Sequence, residues 1–201
     1  MIMTKVEKNI LNKTEIEELK KYIEAETFNR QKVYFDKDLK VDTNVSIIQG
    51  HVGRIIMHFN LDKIPKSVYK KIYEYALKLN NNCIPYSFIY SRYSLEYGIP
   101  KLLPHTDSVG TDFTIDYQLD SNTKWLINVD NNGYSLENND ALIFASSDLM
   151  HWREPKNFSK NEYVDMVFFH FIDKNKNTLE KKPAQIKGDY IFEYYKKVKE
   201  L

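Results

Sequence analysis

Two histidines and one aspartate in this chain have the types and spacing of metal ligands. His105 and Asp107 are separated by one residue, and His151 follows much later, after the apolar run 141–145. In an extended segment, alternate side chains point to the same face, so His105 and Asp107 should project together. Two imidazoles and one carboxylate form the facial triad that holds non-haem Fe(II) and leaves coordination positions open.

An H-x-D pair also has an ordinary structural explanation. Asp107 could serve as a turn or capping residue, and His105 as a surface histidine. The pair taken alone therefore leaves both interpretations open, and the surrounding sequence has to separate them.

The surrounding sequence resembles the iron- and 2-oxoglutarate-dependent dioxygenases, especially small members with HWREP around the distal histidine. The resemblance covers about residues 86 to 173 and depends on motifs rather than on composition. These motifs are Tyr90-Ser91-Arg92-Tyr93, Gly98, the H-x-D pair, Asn139-Asp140-Ala141-Leu142-Ile143-Phe144, His151-Trp152-Arg153-Glu154-Pro155 and Val167-Phe168-Phe169-His170-Phe171.

The resemblance implies a function and a set of cofactors. His105, Asp107 and His151 would be the catalytic metal ligands, binding Fe(II) beside the co-substrate 2-oxoglutarate, with O2 as oxidant. The expected reaction hydroxylates a small molecule or a protein side chain and releases succinate and CO2. The protein's share would be to orient the reactants and exclude water.

The far carboxylate of 2-oxoglutarate needs a buried cation, preferably an arginine. Many relatives place it about ten residues beyond the distal histidine, but residue 161 here is asparagine. Strand alternation puts Arg153 on the same face as His151, which makes Arg153 the first candidate, although a surface arginine paired with Glu154 fits equally well.

Other residues are candidates for contacting the same co-substrate. Lys160 is the fallback cation, and Lys124 is a more distant one. Tyr93 precedes the H-x-D motif, where a tyrosine commonly hydrogen-bonds the co-substrate in the proteins this chain resembles. As one of 15 tyrosines, Tyr93 could also be core packing.

The hydrophobic pattern predicts a mostly β fold with flanking helices, an α+β arrangement around a double-stranded β-helix of the jelly-roll or cupin type. From residue 86 onward, short segments rich in β-branched and aromatic residues are separated by turn signals. The predicted strands are 86–93, 101–107, 112–119, 124–129, 140–146, 149–153 and 162–172.

The N-terminal part mixes helices and strands. A capping-box pattern at Thr14 and Glu17 predicts a helix over about 15–25, and Pro65 opens another over 66–79. Two strands meeting in a turn are expected within 44–61.

These segments suggest one domain over residues 1–201. Residues 1–85 would support a metal-site region at 86–173, followed by a linker and helix. The linker is expected over 174–187 and the amphipathic helix over 189–201.

The composition of the chain limits the binding partners and the cellular location that we expect. A net charge of +1 gives no field that would attract nucleic acid or an anionic membrane. The single cysteine, Cys83, cannot form an internal disulfide, and no apolar run is long enough to span a membrane. The start of the chain lacks the apolar region of a signal peptide, so a cytoplasmic protein is expected. The substrate and the oligomeric state stay open.

Two other functions compete with the oxygenase. A cupin-type hydrolase or isomerase would use a similar barrel with zinc or another divalent ion, commonly with three histidines. A metal-free jelly roll could act as a binding module, in which case His105 and His151 would be incidental. No phosphate-binding loop or nucleophile elbow is present in the sequence, which leaves nucleotide-dependent enzymes and serine hydrolases without support.

Overall fold

A computed structural model describes residues 4–34, 45–107 and 111–175 of the chain. The predicted C-terminal helix at 189–201 and nearly all of the predicted linker lie outside these residues.

Within the described residues, two α-helices and twelve strands form the fold. The helices are α1 (Lys13–Ile23), which continues into a π-helical turn at Glu24–Phe28, and α2 (Lys66–Leu79). The strands are β1 (Lys5–Lys8), β2 (Lys32–Tyr34), β3 (Ser46–Gln49), β4 (Arg54–His58), β5 (Cys83–Ser94), β6 (Leu102–His105), β7 (Phe113–Ser121), β8 (Ile127–Val129), β9 (Asn132–Tyr134), β10 (Asp140–Phe144), β11 (His151–Arg153) and β12 (Tyr163–Asp173).

The strands form two sheets, which together build a double-stranded β-helix. This confirms the predicted fold class. The larger sheet has eight strands in the order β1-β10-β7-β12-β5-β4-β3-β2, and the smaller has four in the order β6-β11-β8-β9. Every pairing is antiparallel except that of β2 with β3.

Strand β12 shows how the sequence pattern builds two cores. Its alternate residues Val164 and Met166 pack with Trp125 and other residues of the smaller sheet. Val167 and Phe169, on the opposite face, pack in the core that also contains buried residues of both α-helices. The central strand is therefore apolar on both faces, because both faces are covered.

The helices cover the outer face of the larger sheet. In α2, Val68, Ile72 and Ala76 are fully buried at helical spacing. This helix has the predicted bounds, since it runs from residue 66 to Leu79 and ends at the C-cap Asn80. Neither α-helix in the described part of the chain is long and apolar enough to cross a membrane.

The predicted start of α1 was wrong by two residues. The capping box is formed by Asn12 and Glu15 rather than by Thr14 and Glu17: the Asn12 side chain accepts from the Glu15 amide at 3.0 Å, and the Glu15 carboxylate accepts from the Asn12 amide at 2.7 Å. Both pairs match the sequence pattern. A tertiary contact favours the earlier one, since the side chain of Asn139 bonds the backbone of Leu11 in both directions.

Cys83 lies at the start of β5 and is 1% exposed, in the core beneath the helices. Burial raises the pKa of its thiol, which makes it unreactive. We expect Cys83→Ser to lower the free energy of unfolding by about 1–2 kcal/mol, because a hydroxyl replaces a buried thiol. Metal affinity and turnover should not change. Loss of turnover with metal binding intact would contradict a purely structural role for Cys83.

Candidate metal centre and adjoining cavity

The structure brings His105, Asp107 and His151 together at the junction of two paired strands. His105 ends β6 and His151 begins β11, and the two are direct cross-strand partners with ring centroids 4.2 Å apart. Asp107 lies two residues past His105, where its amide donates to the carbonyl of Ser146 at 2.9 Å. Strand pairing and one loop hydrogen bond thus position all three side chains.

The three side chains can present their ligand atoms to one point. One ligand atom from each residue lies within 4.8 Å of the other two. The Asp107 Oδ1 atom is 3.7 Å from Nε2 of His105 and 3.6 Å from Nε2 of His151. The Nδ1 atoms face backbone carbonyls instead, that of Leu103 at 2.7 Å and that of Leu149 at 3.1 Å.

These carbonyl contacts select a tautomer that suits metal binding. An Nδ1–H that donates to a carbonyl fixes the ring and leaves the Nε2 lone pair for a metal. Both histidines have this arrangement, and both Nε2 atoms lie near the Asp107 carboxylate. The donor set of two nitrogens and one carboxylate oxygen fits a divalent transition metal.

Electrostatic interactions keep Asp107 ionised. Burial would raise the pKa of Asp107, but the hydrogen bond and charge of His151 hold it well below its usual range. Burial would also lower the pKa of His151, and Asp107 outweighs this and raises it. Burial and the charge of His151 lower the pKa of His105 to about 4. Asp107 is therefore a carboxylate and His105 a neutral imidazole at neutral pH, as metal ligands must be.

A cavity of about 960 Å³ adjoins the three residues, with walls from both sheets. Its apolar wall consists of Ile56, Ile89, Leu102 and Phe168. Tyr86, which is 48% exposed, is also part of the lining. A concave, mostly apolar space with a few convergent polar groups is typical of a small-molecule site.

The predicted anchor residues Arg153 and Tyr93 lie close together in the interior. Arg153 is 1% exposed, is buried like His151 while Trp152 between them is partly exposed, and donates to the carbonyl of Trp125. Tyr93 is fully buried, and its ring contacts that of Trp125 with centroids 5.0 Å apart. Neither residue is among those that line the cavity.

Arg153 is a buried cation that forms no salt bridge with any described residue. Among the described residues, no carboxylate oxygen lies within 4.0 Å of its guanidinium, and Glu154 does not pair with it. Its contacts are the Trp125 carbonyl, the Met166 sulfur at 3.5 Å, and the Trp125 ring 4.9 Å below its Cζ atom. Burial lowers the pKa of Arg153, and electrostatic interactions with Tyr93 and Asp116 oppose this.

The two fallback lysines lie elsewhere. Lys160 is exposed in the turn before β12, and Lys124 is 81% exposed with its ammonium 3.5 Å from Glu137. Neither lines the cavity.

Sequence reasoning missed several polar residues of the cavity wall, among them Arg54, Asp116 and His170. His170 extends from β12 toward the metal centre, with Nε2 3.9 Å from Asp107 Oδ2 and Nδ1 2.8 Å from the Ser87 hydroxyl. Strand alternation places residues 54 and 56 on one face of β4, and residues 168 and 170 on one face of β12. Alternation alone does not show which face of a strand lines a cavity, because that depends on how the two sheets pack together.

Asp116 lies beside the metal centre, 3% exposed, with Oδ1 accepting from Thr114 at 2.6 Å. Burial raises the pKa of Asp116 to about 7. The native state therefore holds this proton more tightly than the unfolded chain does, so the contribution of Asp116 to stability falls as the pH rises from about 4 through about 7.

Asp116→Asn should remove this pH dependence, because the amide oxygen can still accept from Thr114. In the metal-free protein we expect the variant to exceed the wild type by about 2–4 kcal/mol at about pH 8, at about 1.4 kcal/mol per pKa unit. The gain should shrink toward zero near about pH 4. Urea unfolding with a chelator at both pH values measures it, and a gain that does not change with pH would contradict the raised pKa.

Solved structures share this fold at low sequence identity. A prolyl hydroxylase from Trichoplax adhaerens, in complex with a hypoxia-inducible-factor oxygen degradation domain peptide, superposes with a TM-score of 0.56 at 13% identity, covering 89% of this chain and 87% of that one. HygX from Streptomyces hygroscopicus, with nickel and 2-oxoglutarate bound, gives 0.59 at 9% identity over 92% and 94%. The non-heme alpha-ketoglutarate-dependent epimerase SnoN from nogalamycin biosynthesis gives 0.60 at 11% identity over 90% and 85%.

No protein-family model and no curated protein sequence matches this chain. The similarity is therefore one of fold. Together, the fold and the His-Asp-His grouping define a double-stranded β-helix protein with a candidate metal centre at the edge of an interior cavity.

Proposed function

We propose that this protein is an Fe(II)- and 2-oxoglutarate-dependent oxygenase. The observation that carries the proposal is the convergence of His105, Asp107 and His151, with one ligand atom from each within 4.8 Å of the others, beside a cavity inside a double-stranded β-helix. The expected reaction hydroxylates a small molecule or a protein side chain, with succinate and CO2 as co-products.

His105, Asp107 and His151 would hold the iron. When bound, Fe(II) and 2-oxoglutarate together activate O2 and supply the oxidising power that removes a hydrogen atom from the substrate. The carbonyls of Leu103 and Leu149 keep both imidazoles oriented. Three protein ligands leave coordination positions open for the co-substrate and O2, which a fully protein-ligated structural site would not.

Arg153 and Tyr93 would bind the far carboxylate of 2-oxoglutarate. The support is the buried guanidinium of Arg153, which has no acidic partner among the described residues, with the Tyr93 ring packed against the same Trp125. An unpaired buried charge is costly, and an anionic ligand would offset that cost. Lys160 remains the fallback, although it is exposed and would have to move.

The apolar wall would exclude water from the reacting centre. Phe168 is part of this wall, and Phe144, outside the lining, packs against the His151 ring with centroids 4.9 Å apart. Removing water strengthens the electrostatic interactions of the bound anion and limits side reactions.

Conversion of 2-oxoglutarate to succinate tests the proposal without knowledge of the substrate. Protein reconstituted with Fe(II) and ascorbate should form succinate slowly in air, as followed by proton NMR. His151→Ala should not. Succinate formation that is equal in the two proteins, or absent from the wild type despite bound Fe(II) and 2-oxoglutarate, would favour a cupin-type hydrolase or isomerase or a binding module.

A further inference from the structure

Arg54 lines the cavity, whereas the buried Arg153 does not. Its Nε donates to Gln49 Oε1 at 2.6 Å and its Nη1 donates to the Tyr93 hydroxyl at 2.9 Å. Both partners are neutral. A guanidinium carries five N–H donors, so these two bonds leave donors of Nη1 and Nη2 for another acceptor.

No acidic group of the described residues neutralises Arg54. Asp107 and Asp116 are the carboxyls of the cavity wall, and neither lies within 4.0 Å of the guanidinium. Asp107 is engaged by the histidines, and Asp116 accepts from Thr114.

The backbone holds Arg54 in place. Arg54 follows Gly53, whose φ of 63° is left-handed, and a Cβ at Gly53 would come within 2.5 Å of the backbone of residues 98–100. Gly98, with φ of 126°, packs as closely on Gly50. The turn before β4 is therefore locked against the loop that leads to His105.

We propose that Arg54 binds a carboxylate of the primary substrate, which is a mono-anion with a largely apolar body. This inference rests on the proposed function, in which Arg153 holds the co-substrate. A free guanidinium edge matches a carboxylate in bidentate geometry. A phosphate dianion would need a second guanidinium or ammonium group, and Arg54 is the only arginine or lysine among the described residues that line the cavity. Ile56, Ile89 and Phe168 provide apolar surface for the body, and Tyr86 lies at the exposed part of the lining.

Matched acid and amide probes test this inference. We would titrate 3-phenylpropanoate and hexanoate, each against its amide, into wild-type protein, Arg54→Gln and Arg54→Lys by calorimetry. The titrations are made on protein loaded with Mn(II) and 2-oxoglutarate without turnover, and again on metal-free protein. The wild type should bind at least one acid roughly 10–100-fold more tightly than its amide, by a charge-assisted pair at a partly buried site. Arg54→Gln should lose this preference, and Arg54→Lys should keep part of it. The affinity for 2-oxoglutarate should fall less in both variants than in Arg153→Gln, because Arg54 reaches the co-substrate site through its hydrogen bond to the Tyr93 hydroxyl.

Three results would overturn the assignment of Arg54. They are equal binding of acids and amides by the wild type, an acid preference that survives in Arg54→Gln, and a large loss of 2-oxoglutarate affinity in Arg54→Gln. The last result would make Arg54 the co-substrate anchor. If wild-type protein binds neither Mn(II) nor 2-oxoglutarate, the proposed function fails instead, and the metal-free titration still decides whether Arg54 selects a carboxylate.

Discussion

Replacing Asp107 by alanine is expected to abolish metal-dependent turnover while leaving the protein folded. Asp107 is the one carboxylate of the candidate triad, and its Oδ1 atom lies 3.6–3.7 Å from both ligand histidines. Its side chain is 17% exposed beside the cavity and is not part of a close-packed apolar core. The variant should therefore lose metal affinity without a large loss of stability.

The loss should be measurable as affinity for Mn(II). We expect it to exceed about 100-fold, because the loss of mere outer-shell partners already costs roughly 10–100-fold at metal sites. Asp120→Ala serves as a matched control, since Asp120 pairs with Lys20 away from the cavity. Full iron-dependent turnover in Asp107→Ala would show that Asp107 is not a required metal ligand. An equal loss of Mn(II) affinity in Asp120→Ala would show a general effect on folding.

Arg153→Gln is expected to raise the Michaelis constant for 2-oxoglutarate by roughly one to three orders of magnitude, the effect of losing a buried charge-assisted pair. The affinity for metal should change little, because Arg153 does not contact the triad. Steady-state kinetics with 2-oxoglutarate varied, together with Mn(II) titration, separate the two effects. Arg153→Lys should give a smaller increase, since it keeps the charge and loses the fork geometry.

If Arg153 does not bind the far carboxylate of 2-oxoglutarate, two matched variants identify the residue that does. Lys160→Gln changes an exposed cation, and Arg54→Gln changes a cation of the cavity wall. If Arg153→Gln binds 2-oxoglutarate normally and Lys160→Gln or Arg54→Gln binds it weakly, the residue changed in the weak variant is the one that binds the far carboxylate. Thermal unfolding of Arg153→Gln is the control for stability, because its side chain is fully enclosed.

Local pattern predicted the strands that carry the metal centre. H-x-D spacing, strand alternation and the apolar run before His151 are all properties of neighbouring residues. The cross-strand pairing of His105 with His151 depends on register between segments far apart in the chain, which periodicity does not specify. Arg54 illustrates the same limit, since its contact with Tyr93 crosses from β4 to β5.

Three short strands escaped the sequence analysis for a related reason. Strand β1 forms because Lys5–Lys8 pairs with β10, which is more than 130 residues away in the sequence. Strand β2 forms by parallel pairing with β3. Strand β9 overlaps the Asp130-Asn131-Asn132-Gly133 segment, whose residue types are typical of a turn, and it forms by pairing with β8. Such strands are formed by their partners rather than by their own propensity.

Anaerobic visible spectroscopy can detect the complex of Fe(II) and 2-oxoglutarate at His105, Asp107 and His151. Fe(II) is added to metal-free protein, 2-oxoglutarate follows, and the visible spectrum is recorded. We expect a weak charge-transfer band that appears only when both are present, saturates with 2-oxoglutarate, and is missing in Asp107→Ala and His151→Ala. If the wild-type protein binds Fe(II) but shows no band at saturating 2-oxoglutarate, or if the triad variants show a band of equal strength, the three residues do not form an iron and 2-oxoglutarate site.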